Sequence, residues 1–215
     1  MFEPYVDIFQ LRAKSGDLTH VNSYFFEKDC PPNLRYCKLL KDAGIKSYIA
    51  PVGGFQDPDI MERVLAEGSC DLIAQARALI CEEDYWTKIV EERRDEIISC
   101  LGCDKCHGGI CAINPRIGNP GWKDMIQPPT KIKRVAVIGG GPAGLRAAWV
   151  AAERGHSVDL YEKGSQLGGQ LIHADYISRK WSVKGFKDYL IRMCEKNGVH
   201  VLLNTEATPA LIDAG

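Results

Sequence analysis

Cys100-Leu-Gly-Cys103-Asp-Lys-Cys106-His-Gly-Gly-Ile-Cys111 and Val135-Ala-Val-Ile-Gly139-Gly-Gly141-Pro-Ala-Gly144 stand close together, and their reading decides the fold. The first places four thiols within twelve residues, a density that points to a metal centre. Zinc sites usually pair two well-separated Cys-x2-Cys knuckles. Here the run is Cys-x2-Cys-x2-Cys-x4-Cys. Three tightly spaced cysteines with a fourth nearby suit a cubane iron–sulfur cluster, a compact object whose irons need sulfur on several sides. Gly102, Gly108 and Gly109 let the backbone wrap closely. Four unligated thiols so close together would be prone to oxidation. His107 is an alternative ligand beside Cys106.

The second stretch is a strand, Arg134–Ile138, running into Gly139-x-Gly141-x-x-Gly144 and then an alanine-rich helix to Glu153. A second strand, Gly155–Tyr161, ends at Glu162. Strand, glycine turn, helix and an acid about twenty residues on make a dinucleotide fingerprint. Gly139 permits the tight turn, and Gly141 lets a pyrophosphate approach the helix N-terminus. Gly144 lets helix and strand pack closely, and Glu162 can accept hydrogen bonds from an adenosine ribose. A helix over 183–196 and a strand over 199–204 follow. Arg134–Ile138 is expected to be buried. Gln127–Arg134, with its prolines and lysines, reads as a linker.

Upstream, Val6–Leu11 reads as a buried strand, followed by a polar loop, Lys14–His20. Leu34, Cys37, Leu40 and Ala43 recur at a helical period over 32–43, and Gly44 is placed to cap that helix. Ser47–Val52 is the next strand, ending in Gly53-Gly54. Asp57 as N-cap and Pro58 as first residue open a helix with Ile60, Val64 and Leu65 on one face. Gly68 ends it, Cys70–Gln75 is a third strand, and Arg77 sits just past it. Residues 83–97 read as a charged helix with a stripe of Trp86, Ile89 and Val90. This is a βαβ series and hence a parallel sheet, either doubly wound or part of a (β/α)8 barrel. In barrels, phosphates sit in loops after the last strands. Gly53-Gly54 and Arg77 occupy such places in consecutive units. The alternative is a tight turn and a surface charge.

The net charge of −1 over 215 residues gives no electrostatic footprint for nucleic acid or an anionic membrane. The N-terminus has no secretory pattern, and no apolar run reaches membrane-spanning length. Nine cysteines, an odd count, argue against a disulfide framework and for a reducing cytoplasm. Cys30, Cys37, Cys70, Cys81 and Cys194 are expected to be buried hydrophobes.

Ala50-Pro-Val-Gly-Gly-Phe55, Asp57-Pro58, Glu67-Gly68, Asp71-Leu-Ile73 and Ala76-Arg77 resemble the last units of the old yellow enzyme flavin barrel. Asp95–Cys103 and Cys111-Ala-Ile-Asn-Pro-Arg-Ile-Gly118 resemble the iron–sulfur branch of that family, which includes 2,4-dienoyl-CoA reductase, trimethylamine dehydrogenase and the enoate and bile-acid-type ene reductases. The four residues between Cys106 and Cys111 are fewer than the family's usual dozen. Gly139–Leu145, Tyr161-Glu162-Lys163 and Leu167-Gly168-Gly169-Gln170-Leu171 resemble the dinucleotide-binding half of glutathione-reductase-like flavoproteins.

The resemblance implies an α/β chain in three parts. Residues 1–97 would be the C-terminal three βα units of a TIM-type FMN barrel. Residues 98–126 would be a [4Fe–4S] cysteine loop, and 127–215 the start of a Rossmann-like FAD/NAD(P)-binding domain. It implies Gly53, Gly54 and Arg77 at the FMN phosphate, and Cys100, Cys103, Cys106 and Cys111 as cluster ligands. Gly139, Gly141, Gly144, Glu162, Gly169 and Gln170 would hold FAD or ADP, and His20 would face the substrate. The implied activity is NAD(P)H-dependent reduction of an activated C=C bond, with electrons passing from FAD through the cluster to FMN. The alternatives are an amine dehydrogenase of the trimethylamine dehydrogenase type, and a non-catalytic fragment or electron-transfer module. Three units cannot close a barrel, so another chain or a second copy is an expected partner, beside a small unsaturated substrate.

Overall fold

The computed structural model describes residues 3–12, 27–119, 121, 126–174 and 176–213. The chain divides into two compact units, Met1–Gly118 with Ser178–Ser182, and Asn119–Ile177 with Val183–Gly215. Among the described residues no helix is long and apolar enough to cross a membrane.

In the first unit, β1 (Ile8–Leu11) pairs in parallel with β2 (Tyr48–Pro51), Ile8 opposite Tyr48 and Leu11 opposite Pro51. Helix α1 (Leu34–Asp42) crosses between them. It ends where Gly44 takes φ +80. Gly44 N–H then donates to Lys41 O (2.9 Å) and Ile45 N–H to Leu40 O (3.2 Å), the paired bonds of a Schellman end. Helix α2 (Pro58–Ala66) starts as its sequence dictates, with Asp57 Oδ1 accepting from Asp59 N–H at 3.0 Å and Pro58 at the first position. Its buried face is Ile60, Met61 and Val64, whereas Leu65 is exposed. These residues, with Cys37, Ile49, Phe55, Cys70 and Tyr85, form the unit's core.

Cys70–Gln75 is not a regular strand. It runs alongside β2, with Ala74 N–H donating to Pro51 O (3.0 Å) and one parallel bridge between Val52 and Ala74. The cause is Asp71, whose Oδ2 accepts Ile49 N–H at 2.9 Å while its Oδ1 holds Lys41 at 2.7 Å. A side chain takes the donor that a strand's carbonyl would otherwise receive. These contacts hold the Asp71 carboxyl below the usual carboxylate range, the Lys41 hydrogen bond contributing most.

The charged stretch 83–97 is also broken up. Two short helices, α3 (Arg77–Cys81) and α4 (Tyr85–Val90), precede a 3-10 turn at Arg94–Glu96. Glu92 adopts φ +57 and ends α4, with Arg93 N–H donating to Lys88 O at 2.7 Å. Lys88 turns inward onto Glu82 (2.5 Å) and the carbonyl of Glu96 (2.9 Å), which folds the run back on itself. The expected stripe is therefore not the buried face: Trp86 is 53% and Val90 82% exposed, while Tyr85 is buried and Ile89 packs against the core.

The second unit is a three-stranded parallel sheet of β3 (Arg134–Ile138), β4 (Ser157–Tyr161) and β5 (His200–Leu202), with β4 central. Helix α5 (Pro142–Glu153) joins β3 to β4, and α6 (Trp181–Lys196) precedes β5. A short helix, α7 (Pro209–Asp213), follows. The core gathers Leu145, Ala148, Trp149, Leu160, Leu190 and Cys194. Trp149 meets Tyr189 edge-to-face at 5.6 Å. β3 is not buried: Val135 and Val137 are half-covered, while Arg134, Ala136 and Ile138 are exposed. One face of the strand is covered and the other open, so exposure alternates along it.

Of the scattered cysteines, Cys37, Cys70, Cys81 and Cys194 are buried and Cys30 is exposed. Burial pushes the thiols of Cys37 and Cys194 up to about 11, so they behave as small hydrophobes.

Candidate functional site

The loop after β2 carries two glycines in the left-handed region, Gly53 at φ +106 and Gly54 at φ +82. Their turn is held from below by Asn33. This side chain has no exposure, its Nδ2 donates to Val52 O, and that amide lies 3.4 Å from where a Gly53 Cβ would stand. Asn33 was not anticipated. Asn33 stands at the N-cap position of α1, yet its side chain makes no cap bond and reaches the end of β2 instead.

Gly53, Gly54 and Arg77 line one cavity of about 430 Å3. Gln56 lines it too, and its buried Oε1 has no hydrogen-bond partner among the described residues. A cavity of that size with glycine backbone and a guanidinium fits a polar, phosphate-bearing ligand. Arg77 is not a loose surface charge. It is partly buried at the start of α3, and its Nη1 donates to Asp104 Oδ1.

Asp104 belongs to the cysteine stretch. This segment turns back on itself through left-handed residues at Gly102 (φ +68), Asp104 (φ +56) and Gly109 (φ +78), with a 3-10 turn at Lys105–Gly108. Cys100, Cys103, Cys106 and Cys111 all line one small cavity, whose apolar wall is Ile80, Leu101 and Ile113. The short link between Cys106 and Cys111 thus still brings Cys111 to the same wall. Among the described residues no group of three or more His, Cys, Asp or Glu is drawn together around one ion. Four thiols around one small cavity are a donor set that a [4Fe–4S] cluster can use, one thiolate to each iron. His107 is exposed, with its Nε2 4.0 Å from Asp104 Oδ1.

Cys81, buried in α3, is a second unanticipated neighbour. Its Sγ donates to Ala78 O (3.2 Å) and Ile98 O (3.4 Å). A hydrogen bond with Cys81 is the largest influence lowering the Cys100 thiol to about 6, aided by Gly102 N–H at 3.4 Å and by Arg77. The same bond and burial raise the Cys81 thiol. Nothing in the sequence around Ala78–Cys81 signals this role.

In the second unit the glycine turn is packed backbone against backbone. A Cβ on Gly144 would stand 1.9 Å from Gly139 O. A Cβ on Gly169 would stand 2.9 Å from Gly141 Cα, and Gly168 N–H donates to Gly140 O at 2.8 Å. Gly139 takes φ +94 and bonds Tyr161 O at 2.7 Å. Glu162 faces inward on this turn, Oε2 accepting Gly140 N–H and Oε1 accepting Gly164 N–H, both at 2.7 Å. The Gly164 bond and then the Gly140 bond hold its carboxyl below the usual range. No side chain caps the N-terminus of α5, which leaves its first turn suited to an anion. Gln170 lies in the 3-10 turn Gly169–Ala174 that begins beside Gly141. His20 lies outside the described residues.

The profile of the NAD(P)-binding Rossmann-like domain matches residues 137–206. An NADH oxidase of Thermoanaerobacter brockii is 39% identical over 176 residues, 77% of this chain and 27% of the relative. A cinnamate reductase of Clostridium sporogenes is 30% identical over 212 residues, covering 91% of this chain and 31% of the relative. A multifunctional alkene reductase/demethylase OYE of Caballeronia cordobensis is 34% identical over 144 residues, covering 65% and 21%. The solved complex of 2-naphthoyl-CoA reductase with 2-naphthoyl-CoA superposes with a TM-score of 0.82 at 29% identity, over 98% of this chain and 33% of that one. The chain therefore spans a fifth to a third of the length of these proteins, and it belongs to the iron–sulfur branch of the old yellow enzyme family.

Proposed function

We propose that the chain carries the FMN phosphate seat, the cluster ligands and the dinucleotide turn of an NAD(P)H-dependent oxidoreductase that reduces an activated C=C bond. The observation that carries this reading is the place of Arg77, which lines both the Gly53–Gly54 cavity and the cavity of the four cysteines. Two redox groups can sit side by side only if their pockets share a wall, and Arg77 is part of that wall.

A [4Fe–4S] cluster, when bound, supplies one-electron transfer between flavins. Cys100, Cys103, Cys106 and Cys111 would hold it, while Ile80, Leu101 and Ile113 keep water out. Gly102 N–H donates toward the Cys100 sulfur, and hydrogen bonds to cluster sulfurs tune the potential. Gly53 and Gly54 offer backbone N–H groups and Arg77 a guanidinium to the FMN phosphate. In the second unit the N-terminus of α5, with Gly139, Gly141, Gly144, Gly169 and Gln170 about it, would hold the pyrophosphate of FAD or ADP. Glu162 orients the turn through its two backbone bonds and presents its remaining lone pairs to a ribose. His20 is the candidate substrate-side group. A reducing cytoplasm suits the free thiols.

The test is anaerobic iron, zinc and flavin analysis of the purified protein, with spectra before and after dithionite. About four irons per chain and bound flavin are expected. Zinc without iron or flavin overturns the reading. A second chemistry, amine oxidation, is favoured by the demethylase half of one relative's name. NAD(P)H consumption on an α,β-unsaturated acid, against acceptor reduction driven by an N-methyl amine, separates the two.

A further inference from the structure

Asp104 sits between the second and third cysteines of the cluster stretch and has a left-handed backbone, φ +56. A non-glycine residue in that conformation costs free energy unless its surroundings compensate. Here the compensation is visible: the partly buried carboxylate accepts from Arg77. Arg77 belongs to a different segment, at the start of α3, and faces the cavity that begins at Gly53–Gly54. One ion pair therefore spans from the cysteine stretch to the anion seat.

We propose that Asp104 is a positioning residue that works through Arg77, so that phosphate in the Gly53–Gly54 seat and order in the cysteine stretch form one coupled equilibrium. A guanidinium carries five N–H donors in a rigid fork, so one side chain can face a carboxylate and a phosphate together. A phosphate bound to the same guanidinium fixes its side chain. Asp104 then meets a partner already in place, and the ordering of residues 100–111 costs less. Thermodynamic linkage makes the effect reciprocal: whatever factor phosphate adds to loop order, loop order adds to phosphate affinity. This rests on the proposed placement of the FMN phosphate.

The test is hydrogen exchange of the amides in 100–111, read by mass spectrometry on the whole iron-free chain, with and without FMN and with and without inorganic phosphate. FMN affinity is measured separately by fluorescence titration. In the unaltered protein either phosphate source slows exchange of this segment. Asp104→Asn keeps the shape and the tolerance for a left-handed backbone but removes the charge. It should speed basal exchange about tenfold, weaken FMN by a similar factor and abolish the protection that FMN confers. Asp104→Gly relieves the backbone altogether and should behave like Asp104→Asn, which assigns the effect to the carboxylate. If neither phosphate source protects 100–111 in the unaltered chain, or if protection survives in both variants, the coupling is overturned. Slower exchange in Asp104→Gly than in the unaltered chain also overturns it, because backbone strain would then be the operative factor. Iron and flavin content of the holoprotein judge the proposed function separately, since the exchange experiment needs no cluster.

Discussion

Two glycine turns follow two parallel strands in this chain, and they are held in opposite ways. The turn after β3 is closed by main chain: Gly144 against Gly139, Gly169 against Gly141, and Gly168 bonded to Gly140. The turn after β2 is held by a side chain from a distant position, Asn33, and the cavity it opens on is lined by Arg77, paired with Asp104. A seat made of backbone is encoded within one short stretch and announces itself as a glycine pattern. A seat made of side chains depends on residues scattered between 33 and 104, which no local pattern links.

The contrast can be broken most sharply at Gly144. Alanine there would place a carbon within bonding range of a carbonyl, so we expect a loss of more than about 3 kcal/mol in denaturant unfolding of the second unit. A near-neutral result would mean that helix and strand are not in backbone contact. Glu162→Ala strips acceptors from two backbone N–H groups and should cost about 2 kcal/mol, with weaker ADP binding seen by calorimetry. Gly53→Ala, by contrast, meets only the tip of Asn33 but forces φ +106 on an L-residue. About 1–2 kcal/mol is expected, and FMN affinity should fall more than stability does.

The pH response tests the second unit further. Asp159 on β4 is buried between His200 on one side and Arg134 on the other, at 2.8 and 2.9 Å, and these bonds hold its carboxyl below the usual range. Glu162 is lowered as well. A carboxyl depressed by folding adds stability that is complete above its unfolded value, near pH 4, and disappears as pH falls through the lower folded value. Unfolding midpoints should therefore drop below about pH 4, and Asp159→Asn should flatten that drop. Smallest of all, Val90→Glu should change stability by less than about 0.5 kcal/mol, because Val90 stands in solvent. A larger loss would restore the apolar stripe that the sequence pattern proposes for 83–97.

What was legible in the sequence follows the same division. Helix ends chosen by local chemistry were readable: Asp57-Pro58 opens α2, and Gly44 and Gly68 close α1 and α2. The glycine turn and its strand order were readable because Gly139, Gly141 and Gly144 act on neighbours. Cys70–Gln75 has the composition of a strand, but Asp71 reaches across to Ile49 and replaces part of the ladder. The helix over 83–97 failed because Lys88 is drawn to Glu82 and Glu96, and because Glu92, not a glycine, takes the left-handed end. β3 carries the apolar residues of a buried strand, yet exposure is decided by what covers each face of the sheet, which its own residues do not state. Asn33, Cys81 and Asp104 were missed at the site for one reason: each acts on a segment remote from its own.

The backbone-on-backbone packing around Gly140 has a consequence for how this surface can change over time. Where main chain is the working part, most flanking side chains are free to vary, and only a few positions are closed to substitution. Gly144 and Gly169 admit no side chain without moving a neighbouring peptide, and Gly140 would drive one into Leu167. The dinucleotide turn is therefore a small mutational target of high lethality. The seat at Gly53–Gly54, where a side chain would meet only the tip of Asn33, is the more tolerant of the two.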